Sequence, residues 1–154
     1  MSLMKRAEVA TNDTWDLSKL YHSTKDWEND FQRLENQLND LNEVKGRLAE
    51  SPATLYKAVD KSFSLSQRIE KIYCYAHLLA DQDTSNATNQ GLMQKALNLY
   101  SRISLAGSFI RPELLKISDS TLSKYLSDPL LKPYARAIKE IVRYKEHTLD
   151  EEKE

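Results

Sequence analysis

Glycine occurs three times, proline four times and cysteine once in 154 residues. So few turn-formers exclude an all-β chain, whose frequent reversals draw on glycine and proline. A lone cysteine excludes a disulfide framework. No basic block interrupts a chain of formal net charge -1, so DNA and RNA are not expected partners. No apolar run approaches the ~20 residues of a membrane span, and a bilayer is not expected either. The N-terminus has neither an apolar signal region nor an Arg-rich amphipathic presequence, which makes the cytoplasm the expected compartment.

Catalytic motifs are missing as well. There is no His-Glu-x-x-His, which would set two imidazoles one helical turn apart for zinc, no Gly-x-Ser-x-Gly elbow and no phosphate-cradling glycine loop. His22, His77 and His147 stand far apart, none with a second His or Cys at ligand spacing. His77, on the edge of an apolar stripe, is read as satisfied within helix packing rather than lining a cavity, and His147 as a partly exposed loop residue. Cys74, between Ile72-Tyr73 and Tyr75-Ala76, is expected to be a buried small hydrophobe, not a nucleophile. Glu28, Asp30 and Glu35 belong to a polar helix face, Asp81 and Asp83 to a turn. No residue is assigned as catalytic, cofactor-binding or metal-binding.

What is present is helical periodicity. With 40% hydrophobic and 29% charged residues, a single globular domain is expected. Leu65, Ile69, Ile72, Ala76 and Leu79, widened by Tyr73 and Ala80, recur at steps of four and three; so do Leu92, Ala96, Leu99, Ile103, Ala106 and Ile110. Between them, Asp81 to Asn86 offer the Asp, Ser, Thr and Asn side chains of a turn and an N-cap. The pattern predicts an antiparallel helical hairpin as the spine of the fold.

Around it the chain reads as follows. Residues 5 to 24 are an extended arm laying Trp15, Leu17, Leu20 and Tyr21 on the helices. A first helix starts near Thr24 or Asp26, carries Trp27, Phe31, Leu34, Leu38 and Leu41, and stops at Gly46. Its polar side (Glu28, Asn29, Gln32, Arg33, Glu35, Asn36, Asn39, Asn42) is read as solvated, with an interaction surface as the other reading. Ser51-Pro52 starts the next helix. Three alternate serines at 62, 64 and 66 make a kink plausible, and periodicity leaves open whether residues 52 to 82 are one helix or two. Gly107 within a helix costs about 1 kcal/mol against alanine, which predicts a close helix crossing there.

Farther on, Pro112 ends or restarts the helix, Ser118 or Ser120 caps another with Leu122, Tyr125 and Leu126, and Asp128-Pro129 precedes a last helix from about Leu130 or Tyr134 to Tyr144. Six tyrosines (73, 75, 100, 125, 134, 144) are read as edge-of-core packing rather than a peptide-binding ladder. Thr148-Leu149-Asp150-Glu151 has capping-box spacing with no helix after it, which suggests the front part of a longer protein. Met1-Ser2-Leu3 before Met4 reads as a cloning scar, leaving residues 5–154 as one helical domain. The class expected is all-α, an antiparallel helical bundle of about five to six helices with an extended N-terminal arm.

Several words in order give a family resemblance. Asp13-Thr14-Trp15-Asp16-Leu17-Ser18 with Leu20-Tyr21, then Lys45-Gly46-Arg47-Leu48, Tyr73-Cys74-Tyr75-Ala76 leading to Asp83-Thr84, Phe109 with Pro112-Glu113-Leu114, and His147-Thr148-Leu149 resemble the N-terminal region of the oligoendopeptidase F enzymes, zinc metallopeptidases of family M3. The likeness runs from about Val9 onward. It implies an all-helical enzyme whose N-terminal helices wall a deep channel for short peptides. It also implies that zinc and its His-Glu-x-x-His helix lie in a later catalytic domain, so that this part is non-catalytic and its main partner is the rest of the same polypeptide. A fragment of that kind should expose an apolar patch, along residues 92 to 110, where the remainder docks. The rival expectations are a stand-alone helical protein-interaction module and an independent enzyme built on His77 and nearby carboxylates.

Overall fold

The structure, a computed structural model, describes residues 8–143 and 145. Its regular elements among the described residues are helical: α1 (Thr24–Asn36), α2 (Pro52–Gln82), α3 (Ala87–Gly107), α4 (Ile110–Lys116), α5 (Asp119–Leu126) and α6 (Ala135–Arg143), with short 3-10 segments between them and no strand. The all-α expectation is met. The chain divides into two compact units, one built from the chain up to Leu38 with Leu65–Ser104, the other from Asn39–Ser64 with the chain from Leu105 onward.

In the first unit the expected hairpin is present. Asn86 ends the turn, its Oδ1 accepting from the backbone N–H of Thr88 and Asn89 at 3.0 and 3.1 Å. Asn89 donates to the Leu79 carbonyl, and the Tyr73 ring meets that of Tyr100 at 6.2 Å. As residue number rises along α3 its partners fall along α2, so the helices run antiparallel. Leu65, Ile69, Ile72, Ala76 and Ala80 are buried from α2, and Leu92, Ala96, Leu99 and Ile103 from α3. Trp27 of α1 is fully buried beside them and its Nε1 donates to the Ile72 carbonyl at 2.8 Å.

The arm is not extended. Asp16 accepts from the backbone N–H and hydroxyl of Ser18, and the chain winds into 3-10 turns at Thr11–Asp13 and Leu17–Lys19. Tyr21 is buried edge-on to Tyr75 at 5.3 Å, but Leu17 and Leu20 are half-buried and Trp15 is 53% exposed. The expectation for Cys74 also fails, since the thiol is exposed. At ~100° per residue it lies about 200° from buried Ile72, so apolar sequence neighbours do not share its face.

Helix α1 ends at Asn36, earlier than expected, and Leu38–Glu43 forms a 3-10 segment. The spacing explains the change. Leu38, Leu41 and Val44 are all buried at steps of three, which a three-residue turn aligns and an α-helix would fan out. Gly46 takes the left-handed conformation at φ 79°, as a chain reversal after a helical segment requires.

In the second unit Ser51 caps α2 through the Thr54 N–H at 3.1 Å, and α2 runs unbroken to Gln82. The alternate serines do not interrupt it, because Ser64 and Ser66 are exposed while Leu65 between them is buried. Packing does not demand a glycine at 107. It is the last residue of α3, and an added Cβ would meet only the Ser62 hydroxyl at 3.5 Å, an ordinary contact. Pro112 lies in the first turn of α4, where its missing N–H costs nothing, so buried Ile110 opens a new helix instead of extending α3.

Ser118 caps α5. Asp128 caps a 3-10 segment, Pro129–Tyr134, that precedes α6, so the last α-helix starts at Ala135, beside the later of the two starts read from sequence. Glu113 accepts from the backbone N–H of Gly46 at 2.6 Å, and Tyr125 donates to the Ala49 carbonyl at 2.7 Å, fixing the loop before α2 to α4 and α5. The scar at Met1–Met4, Tyr144, His147 and the Thr148 capping box lie outside the described residues.

Candidate functional site

Of the residues that could carry chemistry, the structure brings few together. His22 is exposed. The His77 side chain is 41% exposed and pairs with Asp81 one turn on, Nδ1 to Oδ2 at 3.0 Å, its ring tilted against that of Tyr73 at 5.3 Å. Among the described residues no group of three or more His, Cys, Asp or Glu side chains is placed to hold a metal ion. Among the tyrosines, 75 and 125 are buried, 73 and 134 half-buried, and 100 is 41% exposed.

Asp30 is tied into structure. It accepts from Tyr21 Oη and from Arg68 Nη2, each at 2.6 Å, and Arg68 also donates to Gln37. Burial pulls the Asp30 carboxyl up, but the hydrogen bonds from Tyr21 and Arg68, with the charges of Arg68 and Lys71, outweigh it and hold the group below its ordinary value. Burial, and then the bond to Asp30, push the Tyr21 phenol up. Tyr134 is pushed up to about 12 by its 2.6 Å hydrogen bond to Asp60 and then by burial. These are ties between elements of each unit.

In the first unit a groove of about 830 Å³ lies between α1 and α3. From α1 it takes Lys25, Glu28, Asn29, Gln32 and Glu35; from α3, Gly91, Gln94, Lys95, Asn98 and Arg102; half-buried Phe31 lines it too, with Trp27 and Leu99 almost wholly buried behind the polar side chains. The helical spacing accounts for this. Both sets recur at steps of three and four, so each is one stripe along its helix, and burying the apolar stripes leaves the polar ones facing each other. Lys25 pairs with Glu28 at 3.9 Å, and Arg102 with Glu35. The polar side of α1 was legible as solvated; its partner stripe on α3 was not singled out, although Gln94, Lys95, Asn98 and Arg102 carry the same period. In the second unit, Leu122, Leu126 and Val142 line a smaller hollow of about 540 Å³.

Comparison with known proteins decides the family. A family profile described as Oligopeptidase F matches residues 113–154. Oligopeptidase PepF of Bacillus subtilis (strain 168) is 37% identical over 153 residues, 99% of this chain and 23% of the relative. The chain belongs to the oligoendopeptidase F family. An oligoendopeptidase F homolog of Lactococcus lactis subsp. lactis is 34% identical over 151 residues, 97% of this chain and 25% of the relative. The crystal structure of oligoendopeptidase-F from Enterococcus faecium superposes with a TM-score of 0.75 at 32% identity, covering 85% of this chain and 26% of that one. The chain thus spans about a quarter of the length of the curated relatives it matches. The resemblance brings zinc with it, and a catalytic zinc takes three protein ligands and keeps one position open. The described residues of the chain do not fit that requirement, since His22 and His77 have no clustered partners.

Proposed function

We propose that the chain is the non-catalytic N-terminal helical domain of an oligoendopeptidase F-like zinc metallopeptidase, spanning residues 5–154, and that it forms a wall of the channel in which short peptides are cleaved. The observation that carries this reading is the coverage: 99% of the chain aligns with a peptidase of which it makes up 23%. In this reading zinc and the bond-breaking groups belong to a different stretch of polypeptide. The chain's share is then to restrict and orient peptides, which lowers the entropic part of the barrier for chemistry done elsewhere. The remaining polypeptide of the peptidase is its partner, and a cytoplasmic location belongs to the same reading; no helix among the described residues is long and apolar enough to cross a membrane.

The test uses the purified 154-residue chain with an internally quenched peptide, with and without a chelator, alongside metal analysis. No cleavage and no stoichiometric zinc are expected. Cleavage that the chelator abolishes would overturn the non-catalytic assignment, and a stop codon directly after Glu154 in the natural gene would overturn the N-terminal-domain assignment.

A further inference from the structure

Resting on the reading of the chain as a peptide-facing wall, we propose that the groove between α1 and α3 is the surface that meets the peptide, and that it takes an extended segment bearing a carboxylate. Asn29, Gln94 and Asn98 line it, and none has a hydrogen-bond partner among the described residues. A primary carboxamide offers two donors and an acceptor, which complements the alternating N–H and C=O groups of an extended backbone. The lining charges are otherwise matched, Lys25 with Glu28 and Arg102 with Glu35, which leaves Lys95 as the cation without an ion-pair partner. One unmatched ammonium suits one carboxylate. Two carboxylates in the same groove weigh against a polyphosphate or nucleic acid.

Gly91 is the second observation. It sits inside α3, where glycine is less stable than alanine, and a Cβ built on it meets nothing within 4 Å. Packing therefore does not require it. What a side chain there would do is fill the groove, since Gly91 lines its wall. A residue that gives up helix stability without a packing reason marks a place where open space is what matters. Length agrees as well. From Gly91 to Arg102 the helix rises about 16 Å at 1.5 Å per residue, the reach of about five extended residues at ~3.3 Å each. The half-buried Phe31 ring is the apolar surface that the groove offers the peptide's side chains.

Nitrogen-15-labelled full chain is titrated with N-acetyl penta-alanine as the free acid, with the same peptide as its amide, and with an amidated version carrying one aspartate. The free acid is expected to shift the side-chain amide signals of Asn29, Gln94 and Asn98, and the plain amide to bind about fivefold more weakly. Lys95→Gln removes that difference. The aspartate peptide tells an acidic side chain from a chain terminus as the source of the carboxylate: recovery of binding supports the carboxylate at either position, and failure to recover supports the terminus. Gly91→Leu, which has room for its side chain, is expected to abolish binding while the unfolding midpoint holds or rises. Equal binding of acid and amide, unchanged binding by Gly91→Leu, or silent groove amides at millimolar peptide overturns the proposal. Shifts confined to another face overturn the groove and leave the wall reading standing, whereas hydrolysis of the peptide by the pure chain overturns the non-catalytic assignment and leaves the groove standing.

Discussion

Asp30 joins three elements of the first unit: it sits on α1, accepts from Tyr21 ahead of that helix, and accepts from Arg68 on α2. Both the Asp30 and Arg68 side chains keep under a third of their surface in water, at 24% and 29%, so the charge-assisted bonds are only partly screened. Because the folded state holds the carboxyl below its ordinary value, its contribution is fully present above the unfolded pKa near ~3.9 and is lost as pH falls through the folded value. Asp30→Asn is expected to lower stability at neutral pH by about 2 kcal/mol and to flatten the acid limb of a stability-against-pH curve measured by urea unfolding. An acid limb identical to that of the parent would sink this account. Legibility at this scale was uneven. Asp30 read from sequence as one more member of a polar face, because its partners lie 9 and 38 residues away and no local pattern encodes them. Cys74 failed for a related reason: neighbours along the chain are not neighbours on a helix face.

At the scale of elements, the α2–α3 hairpin shows what periodicity specifies well. Two stripes and a capped polar turn give antiparallel helices whose facing residues are those the steps of three and four select. Asn86 is the cap that ends the turn, and Asn86→Ala is expected to cost about 1 kcal/mol, a drop of about 3 °C in the melting midpoint. A midpoint unchanged in calorimetry would mean that the N–H groups of Thr88 and Asn89 are equally well served by water. Boundaries were less legible. The steps of three at Leu38, Leu41 and Val44 signal a 3-10 winding, yet beside the Trp27–Phe31–Leu34 stripe they read as more α-helix. The serines at 62, 64 and 66 look like a break only if their faces are ignored. Exposed apolar side chains do occur on the stretch where a docking patch was expected, Leu97 and Tyr100 in the first unit and Leu105 in the second.

For the molecule as a whole, stability comes from apolar helix faces and hydrogen bonds, with no metal cluster among the described residues and no disulfide among the single cysteine's options. Removing divalent metals with EDTA is therefore expected to leave the thermal unfolding midpoint of the chain unchanged. A fall of several degrees would reveal a bound ion that contributes to folding. The division into two units, each drawing on separated segments, means that residues far apart in sequence share a core. Glu113 holding the Gly46 N–H, and Tyr134 holding Asp60, are ties of this kind within the second unit.

The amino-acid sequence by itself determined the helical class, the hairpin with its cap, the buried stripes and the family, because period, turn chemistry and word order are local properties of the chain. Tertiary structure alone decided which polar stripes face each other, which carboxylates are held by distant partners, and where a glycine opens on empty space. Those depend on how helices are brought side by side, and the steps of three and four that build each helix carry no record of its neighbour.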